Sequence, residues 1–387
     1  MDMIPFHKPI IPKRIETIFS ASILNGWLTT GKHVEEFEAA LCDYLNVDYV
    51  AAVSSCTAAL HLALASKGFS PGDKFIVPTY TFVASVEVGE YLGMEPIFID
   101  SDINNLNMNL DCLEDTINNH ENVKAIIPVH FAGHPMNINR IKAIAEKYNL
   151  FILEDAAHSL ESVFGNTKIG DTSYATAFSF YANKNITTAG EGGALATNDM
   201  QLYQKVKKLS LHGMSKDGWN RFKTGSKWSY DVSEMGFKYN MTDISASFGF
   251  WQLKQIDDWH QKRCQIVHKY FAGLSDIKGL VLPSNFDDGK HAWHLFIIRI
   301  IPEYWRISRD DFIEEMTKYK IGTSVHYKPI HMHSYYENKY GFKPEDYPNA
   351  KTLGDNVVTI PLYPALNDDQ VDYIIDSIVL IWKKNKI

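Results

Sequence analysis

Three short segments of this sequence set reactive or charged side chains among small residues and glycines. In FSFYANKNITTAGEGG, residues 178 to 193, Lys184 stands in a turn of hydroxyls and glycines shortly after Ser179. An isolated lysine is most often a solvated surface charge. One held in partly apolar surroundings has a depressed pKa and becomes a nucleophilic amine, able to form a Schiff base with a carbonyl compound. In LFILEDAAHSLES, residues 150 to 162, an apolar run ends in two carboxylates, Glu154 and Asp155, with His158 just beyond. Such an acid either caps a helix, holds a cationic heterocycle or orients a base. In VSSCTAALHLAL, residues 53 to 64, small and hydroxyl residues lead from a strand directly into a helix. Ser55 or Cys56 falls at the N-cap and Thr57 and Ala58 in the first turn, where unpaired N–H groups and the helix dipole favour a phosphate. Taken alone, that segment also reads as an ordinary helix cap.

The combination says more than its parts. A phosphate-binding helix start, an acid at a strand end and a lysine beyond it match what pyridoxal phosphate needs: an anchor for its phosphate, a partner for its pyridinium nitrogen and an amine for its aldehyde. No metal or nicotinamide site requires that set. The early strands are followed by no GxGxxG, which argues against a dinucleotide fold.

These groups must converge on one sheet edge, and the chain alternates in the way that achieves it. Helical patterns at VEEFEAALCDYL, TAALHLALASKG, VASVEVGEYLG and INRIKAIAEKYN interleave with strand-like DYVAAVSS, KFIVP, EPIFID, KAIIPVH and LFILED, and the strands ATAFSF and GGALAT follow. Strands apolar on both faces, alternating with helices, predict a mostly parallel sheet covered on both sides. In such a sheet ligands sit outside the carboxyl ends of the strands. From about residue 240 the pattern changes to one long helical segment (DISASFGFWQLKQIDDWHQKRCQIVHKYFAGL). It is followed by strand-like HLFIIRII, helical SRDDFIEEMTKYK, strand-like GTSVHY and a terminal helix at DDQVDYIIDSIVLIWKKN. The expectation is a large α/β domain over residues 1–245 and a smaller α+β domain over 246–387.

Composition narrows the classes of partner. The 387 residues are 45% hydrophobic and 22% charged, with a formal net charge of −8 and no long basic block. Neither nucleic acid nor an anionic membrane is attracted by such a field, so an anionic ligand needs a local site. Four scattered cysteines form neither a disulfide framework nor a zinc pattern, which suits a reducing compartment and predicts no metal. The start, MDMIPFHKPIIPKRIETIF, lacks a signal-peptide core, and the chain has no run of about 18 apolar residues, so a cytoplasmic protein is expected.

Eight segments in order resemble the DegT/DnrJ/EryC1/StrS family of sugar aminotransferases: GWLTTGKHVEEFE, SSCTAALHLAL, PTYTFVAS, PVHFAGHP, LEDAAHS, FSFYANKNITTAGEGG, GFKYNMTDISAS, and VHYKPIHMHSYY with IPLYP. The resemblance covers nearly the whole chain. It implies an α/β fold of fold type I, with a mostly parallel seven-stranded sheet between helices and a smaller C-terminal α+β domain. It implies that Lys184 holds pyridoxal phosphate as a Schiff base and, once displaced, shuttles the proton. Asp155 would keep the pyridine nitrogen protonated, His158 would sit near the phenolic oxygen, and Phe82 would stack on the ring. Thr57, Ala58 and Ser179 would bind the phosphate, helped by Lys238 or Asn240 of GFKYN from the other subunit of a homodimer with shared active sites. Two departures from the family pattern are Cys56, where many relatives carry glycine, and GFKYN in place of GxN. The position of Lys238 favours it over Asn240.

The implied reaction moves the amino group of L-glutamate to a nucleotide-linked keto-sugar. The expected acceptor is carbon 4 of a UDP-linked 4-keto-6-deoxy hexose, with His326 and His331 facing the sugar or held as structural histidines. The alternatives are amination of carbon 3 on a dTDP- or GDP-linked keto-sugar, or a non-aminating pyridoxal phosphate protein of the same fold. The family's dehydratase branch has histidine in place of the lysine, and Lys184 argues against it. An amino acid aminotransferase would need an arginine for the substrate carboxylate, for which Arg221, Arg299 and Arg306 are the candidates.

Overall fold

The computed structural model describes residues 2–24, 26–172, 174–214 and 231–387; Arg221 lies outside them. The strands of the first half are β1 (Tyr49–Val53), β2 (Lys74–Pro78), β3 (Glu95–Ile99), β4 (Val123–Ile126), β5 (Phe151–Asp155), the short hairpin β6 (Val163–Phe164) with β7 (Thr167–Lys168), β8 (Ala175–Ser179) and β9 (Gly193–Thr197). Seven of them form one sheet in the order β1-β9-β8-β5-β4-β2-β3. Pairing is parallel from β3 across to β8, and β9 runs antiparallel to both of its neighbours.

Parallel neighbours require crossover connections: Ala84–Glu90 joins β2 to β3, Leu113–Asn118 lies on the path from β3 back to β4, and Ile138–Tyr148 joins β4 to β5, while Cys56–Lys67 runs from the edge strand β1 to β2. Cys56–Lys67 is buried continuously from Ala58 to Leu64. It lies between β8 and β9 on one side and the helices Ala84–Glu90 and Met200–Leu209 on the other. A run of small and apolar residues, with His61 its one polar member, suits that sandwiched position, whereas Ile138–Tyr148 buries only the stripe of Ile138, Ile141, Ile144 and Ala145.

The second half adds β10 (Leu280–Val281), β11 (Gly289–Lys290), β12 (Phe296–Ile300) and β13 (Val357–Ile360). β10, β12 and β13 form an antiparallel three-stranded sheet, while β11 pairs with β6. The core around this smaller sheet joins Phe296 and Ile298 to Tyr270, Phe312 and Ile378 from three helices. Ile4, from the beginning of the chain, is buried in the same core.

Two sequence expectations change. The long helical segment breaks at Lys254 and Gln255 into the helices Asp243–Leu253 and Ile256–Leu274. The break serves two cores: Ala246 and Leu253 pack with Phe37 and Phe180, whereas Ile266 and Tyr270 pack with the C-terminal helix. GTSVHY is not a strand. It meets β13 through a single reciprocal pair, Ser324 N–H to the Thr359 carbonyl at 3.0 Å and Thr359 N–H to the Ser324 carbonyl at 2.8 Å. The helix Ile15–Leu24 has no counterpart among the expected elements. Among the described residues no helix is long and apolar enough to cross a membrane.

Strand alternation on β5 separates the two acids of LFILED. Glu154 is fully buried, facing away from the site described below. His130 accepts the Met136 N–H at Nδ1, so its Nε2–H donates to Glu154 Oε2 at 2.8 Å. Thr176 Oγ1 donates to Oε1 at 3.1 Å, and Thr172 Oγ1 donates to the same oxygen. Removing this carboxylate leaves buried donors without acceptors. Glu154→Ala should therefore destabilise the cofactor-free protein by about 3 kcal/mol in chemical denaturation, the cost of breaking one side of a buried polar network.

Candidate functional site

A cavity of about 430 Å³ opens at the carboxyl edge of the large sheet. It is walled by the ends of β5 and β8, the start of the helix Cys56–Lys67, and His326 and Tyr327 from the second half of the chain. The volume lies in the range of small-molecule sites, ~300–1,000 Å³.

The structure brings Thr57, Phe82, Asp155, His158, Ser179, Lys184 and His326 to this one wall. Ser55 is the N-cap of the helix, its Oγ accepting the Ala58 N–H at 3.0 Å, so the Cys56 and Thr57 N–H groups face the cavity end. Gly193 keeps that end open for a reason of space rather than backbone angle. A Cβ there would stand 2.3 Å from the Ser55 carbonyl carbon and 2.4 Å from the Cys56 nitrogen.

Asp155 is buried. Ser85 Oγ donates to Oδ2 at 2.6 Å and the Ala157 N–H to Oδ1 at 3.1 Å, which pins the carboxylate toward the cavity. Burial, compounded by the Asp155 charge, pushes the Cys56 thiol well above its usual range, so this thiol is not a nucleophile.

Lys184 is carried by the connection from β8 to β9, and the threonines of that loop lock its shape. Thr187 Oγ1 donates to the Phe180 carbonyl at 3.0 Å and Thr188 Oγ1 to the Glu191 carbonyl at 2.6 Å. Gly190 then takes a φ of +128°, which favours glycine. Among the described residues the Lys184 amine meets no hydrogen-bond acceptor. Burial lowers its pKa to about 8, with Cys56 and Asp155 opposing the shift.

His158 is buried, and its Nδ1 accepts the Ala132 N–H at 3.2 Å. The proton of the neutral ring is therefore on Nε2, 3.4 Å from the Tyr327 hydroxyl. Burial first, then Lys184 and His326, hold this imidazole neutral far below its ordinary range. The Phe82 ring is 53% exposed despite its apolar character, which leaves a face free within the cavity. His326 donates or accepts at Nδ1 with Thr359 Oγ1 at 2.9 Å, and burial and Lys184 push its pKa down to about 3.

Four expected site residues are not on the cavity wall. Ala58 is buried one turn into the helix. His331 is fully buried, with Nδ1 at 2.7 Å from Thr79 Oγ1 and Nε2 at 3.2 Å from the Pro344 carbonyl, so both nitrogens are engaged inside the protein. This corrects its expected place beside the sugar: it is a satisfied structural histidine. Lys238 is exposed and donates to Asn240 Oδ1 at 2.6 Å, while Asn240 Nδ2 donates to Thr30 Oγ1 at 2.8 Å. Both stand outside the cavity of their own chain. Arg299 and Arg306 do not reach the cavity either.

The sequence reading passed over Ser85, Asn183 and Tyr327. Ser85 lies one turn after Phe82 within PTYTFVAS and was legible as part of that segment. Asn183, beside Lys184 on the cavity wall, has a buried Oδ1 with no partner. Tyr327 lies beside His326 within VHYKPIHMHSYY and was likewise legible as part of that segment. Among the described residues no group of three or more His, Cys, Asp or Glu side chains could hold a metal.

An unpaired amine, an oriented acid, a helix start and an exposed ring fit the aldehyde, nitrogen, phosphate and ring face of pyridoxal phosphate. The sequence pattern of the DegT/DnrJ/EryC1/StrS aminotransferase family matches residues 9–379. The chain is 40% identical over 376 residues to the spore coat polysaccharide biosynthesis protein SpsC of Bacillus subtilis, covering 97% of this chain and 96% of that one. Its structure is similar to that of Spr1654 from Streptococcus pneumoniae in the pyridoxal phosphate form. The TM-score is 0.90 and the identity 32%, with 99% of each chain covered. It is also similar to Helicobacter pylori PseC, an aminotransferase involved in the biosynthesis of pseudoaminic acid, with TM-score 0.90, 27% identity and coverage of 99% and 100%. The cavity chemistry and these likenesses agree: the chain belongs to the DegT/DnrJ/EryC1/StrS aminotransferase family and is a sugar aminotransferase that works with pyridoxal phosphate.

Proposed function

We propose that the protein transfers the amino group of L-glutamate to carbon 4 of a UDP-linked 4-keto-6-deoxy hexose in amino-sugar synthesis for a surface glycan. The observation that carries the reading is the meeting of the unpaired Lys184 amine and the pinned Asp155 carboxylate on one cavity wall. For the acceptor, support comes from SpsC, named for polysaccharide biosynthesis, and PseC, named for an amino-sugar pathway. The His158 of LEDAAHS, and His326 with Tyr327 of VHYKPIHMHSYY, line the cavity and support the carbon 4 assignment.

When bound, the cofactor supplies a reactive aldehyde and a ring that stabilises negative charge on the carbon losing its proton. The chain's residues do the rest. Asp155, held by Ser85 and the Ala157 N–H, presents its charge to the ring nitrogen and keeps a proton there. The Cys56 and Thr57 N–H groups, with the Thr57 and Ser179 hydroxyls, would hold the phosphate. Phe82 would cover one ring face. The Nε2–H of His158 would serve the phenolic oxygen. Lys184, once displaced by the incoming amine, takes and returns a proton at Nζ, a task suited to a group titrating near the working pH. Lys238, exposed, or Asn240, half-buried, both outside the cavity of their own chain, would reach the phosphate of a partner subunit across a homodimer.

The test is a panel of UDP-, dTDP- and GDP-linked 3- and 4-keto sugars incubated with glutamate, following 2-oxoglutarate. Release should be fastest with the UDP-linked 4-keto-6-deoxy sugar; faster turnover of a 3-keto sugar would reject the carbon 4 assignment. Asp155→Asn should slow the chemical steps by about 100-fold or more with cofactor still bound, as for loss of a positioned charge.

The low pKa of Lys184 makes a stability prediction. Below about 8 the amine is charged in both folded and unfolded chains, and the folded state carries the full cost of burying it. Lys184→Met should therefore raise the melting temperature of the cofactor-free protein at pH 7 by a few degrees. The gain should shrink as the pH rises from about 8 toward about 10.5, where the unfolded lysine also loses its proton.

A further inference from the structure

Lys184 also lines a second, smaller cavity of about 20 Å³, shared with His7, Asn185, Arg263 and His294. Its wall is a built polar network. Arg263 is 1% exposed, and its Nη2 donates to Glu161 Oε1. The other oxygen of Glu161 accepts Asn185 Nδ2 at 2.8 Å, and Asn185 Oδ1 lies 3.1 Å from His294 Nδ1. Two buried polar atoms in this wall have no partner: Arg263 Nη1 and His7 Nε2.

Their chemistry is complementary. Nη1 carries N–H donors. The Ala182 backbone faces the His7 ring and favours its charged form, and Nε2 is the nitrogen left without a partner, so the neutral tautomer protonated at Nδ1 offers a lone pair at Nε2. Burial, then Arg263 and Lys184, push His7 down to about 4, so that lone pair is present at neutral pH. A water needs roughly 10–15 Å³ and two to four polar partners. A donor and an acceptor, with Lys184 lining the same space of about 20 Å³, meet that need for one molecule. A carboxylate exceeds the space, and a small anion would meet the Nε2 lone pair.

We propose that one ordered water bridges Arg263 Nη1 and His7 Nε2 and receives the free Lys184 amine, making His7 a positioning residue for that amine. This rests on Lys184 being the cofactor-binding amine. The water gives one O–H to His7, and its oxygen accepts from Arg263 and from the Lys184 ammonium, so the protonated amine is stabilised whenever it is detached. No bond is made or broken.

Other titratable groups share these walls: Tyr181, Glu191 and Tyr327 line the larger cavity, and Lys8 and Tyr363 the smaller one. Asp155 and Cys56 face Lys184 from the larger cavity and favour its charge. His158, His294 and His326 are held neutral by burial. The charge of Arg263 is offset by Glu161.

The test follows the pH dependence of cofactor capture by the cofactor-free protein, read as the visible absorbance of lysine-bound cofactor. Capture by the natural protein should rise through a pH of about 8. His7→Phe, which keeps the ring volume without an acceptor, should move that inflection down by about half a unit or more, and His7→Gln, which restores an acceptor, should bring it back. An unmoved inflection in a folded His7→Phe variant overturns the proposal. Lys184→Ala is the control: capture with unchanged absorbance would reject the role of Lys184 itself. A high-resolution crystal structure decides independently of any variant. An oxygen within hydrogen-bond distance of both atoms supports the water; a dry cavity, or anomalous signal there after a bromide soak, overturns it.

Discussion

Taking a lysine amine out of water raises the free energy of its charged form, and the structure around Lys184 is organised by that fact. The amine is brought to a titration near pH 8 by burial, while Asp155 and Cys56 hold it from falling further. A group so placed is both a nucleophile when neutral and a proton carrier when charged. The imidazoles nearest to it are kept neutral by the same burial, so among the described residues no second positive charge competes at the wall of the larger cavity.

Holding that amine still requires both halves of the chain. The loop bearing Lys184 is tied to β8 by Thr187 and, through Asn185, to the Ala292 carbonyl at 3.2 Å in the later half. Arg263 and Glu161 make a buried pair across the same seam. A buried pair of this kind contributes little net stability over apolar packing, but breaking one side is costly, so it enforces a single arrangement of the parts it joins. The site is in this sense a product of how the two halves of the chain dock, as much as of the sheet edge.

Much of the fold was legible because the central strands are apolar on both faces and alternate with helical runs. KFIVP and the terminal helix at Asp368–Asn385 fall where the pattern puts them. The break at Lys254 and Gln255 was not legible, since no glycine or proline marks it and its cause is the presence of two separate cores. GTSVHY misled for a related reason. Its β-branched and aromatic residues suit an extended chain, but a partner along its whole length is a tertiary matter: only Ser324 pairs with β13, and Gly322 instead donates to the Ile4 carbonyl. In the site, Lys184, Asp155 and Thr57 were marked by local motifs and Tyr327 lay unremarked within one, whereas His7 comes from a distant segment without any such mark.

The sequence by itself determined the reactive groups and the family to which they belong, because the amine, the acid and the helix start each sit in short runs whose residue types state their chemistry. It also determined the sheet, through period and apolarity. The resemblance pointed to Asp155, and the tertiary structure supplied the reason: strand facing turns Glu154 away from the cavity onto His130, Thr172 and Thr176. The tertiary structure alone decided that His326 lines the site while His331 is locked inside, because both are histidines in one segment and differ only in what the fold places against their rings.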